Sequence, residues 1–198
     1  MRGSLALLAA VLWCAVLPAS AQTGIFVDTG VAPVGLWVAQ PIGGPYGAEG
    51  AQSLTVEVGG TLRGVLLPIE CGIAGGAVDV EIRDAPATPP YYPGTMVLDR
   101  ATMPPTFFYG KGPRFVFVPM YKRLAISAGQ TISVVVRSPS GACSWHWPAP
   151  GVMYTGGGSS TGSGFVQWTS NGGGWAPLWL ISGGGNGAYD FPVLLVME

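Results

Sequence analysis

Apolar and polar residues alternate in short runs along this chain. Val78, Val80 and Ile82 interleave with Asp79, Glu81 and Arg83, and Leu54, Val56 and Val58 interleave with Ser53, Thr55 and Glu57. A period of two sends successive side chains to opposite faces, so each run predicts a β-strand with one buried and one wet face. Six segments are predicted as strands on this alternation or on their β-branched and aromatic content: residues 52–58, 61–69, 77–84, 114–118, 131–137 and 193–197. Weaker candidates lie around Phe26 and over residues 96–102, 144–147, 165–168 and 175–180. Gly59-Gly60, between two runs, predicts a hairpin turn.

The spacing of helix breakers sharpens the picture. Beyond residue 21 no stretch free of Gly and Pro exceeds nine residues, whereas a mean helix takes about 11–12. About ten or eleven short strands without room for crossover helices predict an all-β, antiparallel two-sheet β-sandwich of jelly-roll-like form. No internal repeat is evident, so residues 22–198 are expected to form a single domain.

The first 21 residues stand apart from this rhythm. Arg2 precedes an apolar run over residues 5–17, and Ala19-Ser20-Ala21 supplies the small residues of a cleavage site before Gln22. This predicts a removable signal peptide over residues 1–21 and a secreted, periplasmic or extracellular product. The run falls short of the about 20 apolar residues of a membrane span, so none is expected after cleavage. Cys14 leaves with the signal, and Trp13 before it is too bulky for a lipoprotein anchor site. Cys71 and Cys143 remain, in an oxidising compartment and without C-x-x-C spacing, and are predicted to form a disulfide.

Composition adds mainly exclusions. Only 10% of residues are charged and the formal net charge is −1; with Arg2 removed, eight basic residues face ten acidic ones. No basic patch suits a nucleic-acid partner. His146 is the only histidine, which rules out a multi-histidine metal centre, and no G-x-S-x-G elbow accompanies it; a surface or hydrogen-bonded histidine is the plainer reading. Asp79 and Glu81 share a strand face and would suit glycoside hydrolysis only at about 5–9.5 Å separation; alternation already explains them as a wet outer face. Asp28, Asp84 and Asp190 would serve as Ca²⁺ ligands, but no D-x-D-x-D-G loop supports this. Neither a catalytic set, nor a metal site, nor a cofactor is therefore expected.

The surplus is aromatic. Glycines cluster at 156–158, 172–174 and 183–185, interleaved with Trp145, Trp147, Tyr154, Phe165, Trp168, Trp175 and Trp179. Trp145 and Trp147 are expected on one strand face. Flat rings beside small residues make platforms for the C–H faces of sugars, with core packing as the competing use of each ring. A second unusual stretch sets Tyr91-Tyr92 among Pro86, Pro89, Pro90 and Pro93, which predicts a stiff extended loop.

Taken in order, Ala51 to Val56, Gly60-Thr61-Leu62 leading into residues 65–69, residues 78–84 with Pro93-Gly94 after them, Ala128-Gly129-Gln130-Thr131, Cys143-Ser144-Trp145, Tyr154 with Gly156-Gly157, Trp175 and Asp190-Phe191 carry a resemblance. The chain resembles the jelly-roll-like, carbohydrate-binding-module-like β-sandwich domains of bacterial secreted and surface-anchored proteins. The resemblance covers nearly all of residues 22–198 and implies a sandwich without catalysis; the Pro/Tyr stretch and the His146-Trp147 pair depart from it. The expected function is binding of extracellular glycan or another surface polymer through Trp145, Trp147, Tyr154, Trp168, Trp175 and Trp179. The alternative is a self-associating structural or adhesive subunit of an envelope, matrix or filament, and a carboxylate hydrolase is the third reading.

Overall fold

The computed structural model describes residues 25–28, 37–43, 49–56, 58–73, 75–85, 93–110, 114–139, 142–148, 166–169, 175–177 and 193–198. Among them are thirteen strands and a 3₁₀ turn at Pro105–Phe107, and no helix long and apolar enough to cross a membrane. The protein is all-β and its ladders are antiparallel. A four-stranded sheet runs in the order β1 (Ile25–Asp28), β13 (Leu194–Met197), β4 (Gly60–Leu67), β8 (Val116–Ile126). A three-stranded sheet runs β2 (Trp37–Gly43), β10 (Ala142–Pro148), β5 (Ile69–Cys71). A six-stranded sheet runs β12 (Ala176–Pro177), β11 (Val166–Thr169), β3 (Glu49–Thr55), β9 (Thr131–Arg137), β6 (Val78–Asp84), β7 (Val97–Met103).

One apolar cluster draws on all three sheets: Leu62, Val65 and Leu195 from the first, Ile42, Ile69 and Trp145 from the second, and Val80, Ile82, Val134 and Val136 from the third. The alternation predicted for β6 holds on this side, with Val78, Val80 and Ile82 fully buried. Each such side chain contributes about 1.5–3 kcal/mol relative to exposure.

The opposite face of β6 is not wet. Glu81 is fully buried, and its carboxylate meets Arg83, Arg100 and Arg137. Burial alone would raise its proton affinity, but the hydrogen bond from Arg83 and the charges of Arg83, Arg137 and Arg100 outweigh it and hold the carboxyl below its ordinary range. Asp79, its expected partner in a carboxylate pair, instead accepts a hydrogen bond from Thr102. On the same face Ser53 and Ser133 are buried and hydrogen-bonded to each other. Alternation names the two faces of a strand without saying what covers them.

Gly59-Gly60 is not a hairpin turn either. β3 pairs with β9 and β11, and β4 with β8 and β13, so the glycines carry the chain from one sheet to another. A Cβ on Gly59 would lie 2.9 Å from the Ala128 nitrogen; close backbone approach is what requires glycine there. The connection from β8 to β9 runs beside it, tied by Val56 N–H to Gln130 O and Gly129 N–H to Val56 O. Pro68 makes a similar switch, ending β4 and releasing β5 into the three-stranded sheet, which divides the single strand expected over residues 61–69.

β8 carries a long bulge. Leu62 faces Leu124 while Gly64 faces Pro119, so Met120 to Arg123 loop out of register opposite Arg63. The freed Lys122 N–H is taken by Asp99 of β7 at 2.8 Å, and Lys122 Nζ reaches Leu98 O. Buried Asp99 therefore joins the edge strands of two sheets where no ladder forms.

Candidate functional site

Cys71 and Cys143 face each other across β5 and β10 and are bonded, with Cα atoms 4.1 Å apart. Closing 72 residues of chain restricts the unfolded state by roughly 4 kcal/mol in the loop-entropy picture. Because Cys143 points into the core, Trp145 two residues on points there too, and it is fully buried. That corrects its expected role: a ring packed on all sides offers no platform to a ligand.

Ser144 and His146 of β10 line the opposite face. Ser144 stands across from Glu70 in the ladder, and His146 stands across from Ala39 of β2. Together they floor a polar hollow of about 340 Å³ whose walls are Gly72, Tyr109 and Gly110. His146 is 9% exposed rather than a surface residue, and its backbone N–H donates to Pro68 O. Its Nε2 lies 3.4 Å from Glu70 Oε2 and makes no hydrogen bond of ordinary geometry. Burial lowers its proton affinity, Glu70 opposes this, and burial prevails, so the ring is neutral at neutral pH.

Tyr109 reaches this position through a short aromatic segment. Pro104 and Pro105 open a 3₁₀ turn closed by Phe107 N–H to Pro104 O and Phe108 N–H to Pro105 O. Phe108 is fully buried and anchors the segment, whereas Tyr109 is 51% exposed. Cys71 N–H donates to Phe108 O, and a lone parallel bridge joins Cys71 to Tyr109. Gly110 follows with φ of 63°, a left-handed conformation that a side chain would strain. Tyr109 and Gly72 also line a second hollow of about 320 Å³, together with Ile73, Pro105 and Thr106, and this one is largely apolar. One half-exposed tyrosine thus lines both an apolar recess and one bearing a carboxylate, a hydroxyl and an imidazole.

Of the predicted aromatic set, the described rings of Trp145 and Trp175 line neither hollow. Trp175 is half-buried, and the strands carrying Trp147 and Trp168 are formed, with their rings outside the described residues. Tyr154 and Trp179 lie outside the described residues, as do Asp190, Tyr91 and Tyr92. Asp84, weighed above as a calcium ligand and set aside, accepts the Met96 N–H on Oδ1 and the Gly94 N–H on its carbonyl. The side chain of Asp28 is not among those described, and the described residues hold no cluster of three metal-ligating side chains. The Tyr109 site itself escaped the sequence reading. Its signal was Phe107-Phe108-Tyr109, three rings in a row bounded by Pro104-Pro105 and Gly110.

Comparison of the chain with known protein families, with characterised proteins and with solved structures finds no match.

Proposed function

We propose that this chain is exported with removal of residues 1–21, that its sheets stack as a two-layer jelly-roll-like sandwich, and that it serves as a non-catalytic module binding extracellular glycan. The observation that carries this reading is half-exposed Tyr109, which lines both an apolar hollow and a polar one. A sugar presents an apolar C–H face and a rim of hydroxyls; Tyr109 with Ile73 and Pro105 suits the first, and Ser144, Glu70 and His146 suit the second. A central aromatic anchor of this kind is where binding energy concentrates. Tyr109→Ala is expected to weaken retention on immobilised polysaccharide by about 2 kcal/mol, roughly thirtyfold, without lowering the melting temperature, since the ring is exposed. Affinity electrophoresis through gels of different polysaccharides measures this. Unchanged mobility of a folded Tyr109→Ala protein would move the binding face elsewhere, with Trp147→Ala and Trp168→Ala as the next variants.

A second reading, a structural or adhesive subunit packing against its own copies, is favoured by the outer face of β8, where Phe117 and Tyr121 stand 42% and 72% exposed. Sedimentation across a hundredfold concentration range separates the two, because a glycan-binding monomer does not grow with concentration.

A further inference from the structure

We propose, resting on the glycan reading above, that the polar hollow beside Tyr109 selects sugars carrying a free amine. Glu70 supplies the reason. Among the described residues lining this hollow it is the only one charged at neutral pH, with no Lys or Arg beside it. Its side chain is 40% exposed and its only polar side-chain contact among the described residues is His146. Among the described residues, the hollow therefore carries a carboxylate with no lysine or arginine paired to it.

An ammonium group entering it finds a carboxylate and an aromatic ring among the lining residues, and both kinds of group attract cations. The Ser144 hydroxyl remains to hold a neighbouring hydroxyl group. A neutral sugar in the same position desolvates Glu70 without pairing it, and an acidic sugar adds repulsion. The hollow of about 340 Å³ is near the lower end of ligand clefts, so it suits one ring of a chain, with the next ring stacking over Tyr109 toward Ile73 and Pro105.

The test is isothermal titration at neutral pH and constant salt with four matched oligosaccharides: β-1,4-linked glucosamine, N-acetylglucosamine, glucose and a uronic acid. Wild type is expected to bind the glucosamine oligomer about tenfold tighter than its N-acetylated twin, the size of a charge-assisted hydrogen bond. Glu70→Gln should erase that preference while retaining the melting temperature. Asp79→Asn, which removes an equal charge on β6, should keep it and so exclude attraction by overall charge. Equal or tighter binding of the neutral or acidic oligomers overturns amine selection and leaves glycan binding standing. Binding of none of the four overturns both. Glu70-dependent binding of poly-lysine with no response to glucosamine assigns the hollow to a basic protein and likewise overturns the proposal.

Discussion

Glu81 sits where a period-two reading puts a solvated carboxylate, and its burial reverses what the residue does. A lone ionised carboxylate in such a place would be costly, and it persists because Arg83, Arg100 and Arg137 surround it. Removing the charge leaves the arginines crowded, and among the described residues only Arg137 keeps a carboxylate, Glu49, so Glu81→Gln is expected to cost about 1–3 kcal/mol in denaturant unfolding. The pH dependence follows from the direction of its shift. The folded carboxyl holds its proton less tightly than the unfolded one, whose ordinary value is 4.5. Its contribution is therefore fully present above that value and is lost as pH falls through the lower folded value. Melting curves from pH 6 to pH 2 should show a steeper acid-side loss for wild type than for Glu81→Gln; parallel curves would mean that the cluster stores no pH-linked stability. The sequence did reveal that Asp79, Glu81 and Arg83 share a face. It held no sign that Arg100 and Arg137 would arrive from strands 19 and 56 residues further on.

At the level of elements, uniformly apolar or cleanly alternating segments were legible and interrupted ones were not. Thr131–Arg137 is a strand over the residues expected, whereas β2 contains Pro41 and was passed over. Proline removes a ladder donor and is tolerated there because β2 is the edge of its sheet. The second half of β8 was missed for a related reason, since the bulge at Met120 to Arg123 breaks the period. The Tyr109 segment reads as loop because its ring is held by a prolyl turn and one buried neighbour, and neither leaves a periodic trace. Pairing between strands is a further layer that spacing alone does not determine, as the sheet change at Gly59-Gly60 illustrates. Gly64 of β4 tests one such contact. A Cβ there would run into the Phe117 ring and fall 2.6 Å from Val118 O. Gly64→Ala is expected to destabilise by about 1–3 kcal/mol because the ring must move and the carbonyl has no room to. The double variant Gly64→Ala with Phe117→Ala should recover only the part due to the ring; full recovery in urea unfolding would show that the backbone contact is unimportant.

Across the whole molecule, three sheets share one apolar cluster, and their connections determine which edges stay open. The Cys71–Cys143 bond fixes β5 to β10 beneath the Tyr109 hollow, so the floor and one wall of the proposed site are covalently joined. The junction of β7 and β8 has a different consequence. Asp99 draws two sheet edges together, taking the Arg100 N–H on one oxygen and the Lys122 N–H on the other. Unpaired strand edges are templates for adding foreign strands, and the bulged stretch of β8 would offer such a template were the Lys122 amide left bare. Asp99 is thus a guard on colloidal behaviour as well as a hydrogen-bond acceptor. Asp99→Ala is expected to lower stability by about 1–3 kcal/mol for the lost bonds and, below the melting transition, to seed amyloid-type growth visible as rising thioflavin fluorescence. A destabilised Asp99→Ala protein that stays clear and dye-negative on prolonged storage would show that the junction protects only the fold.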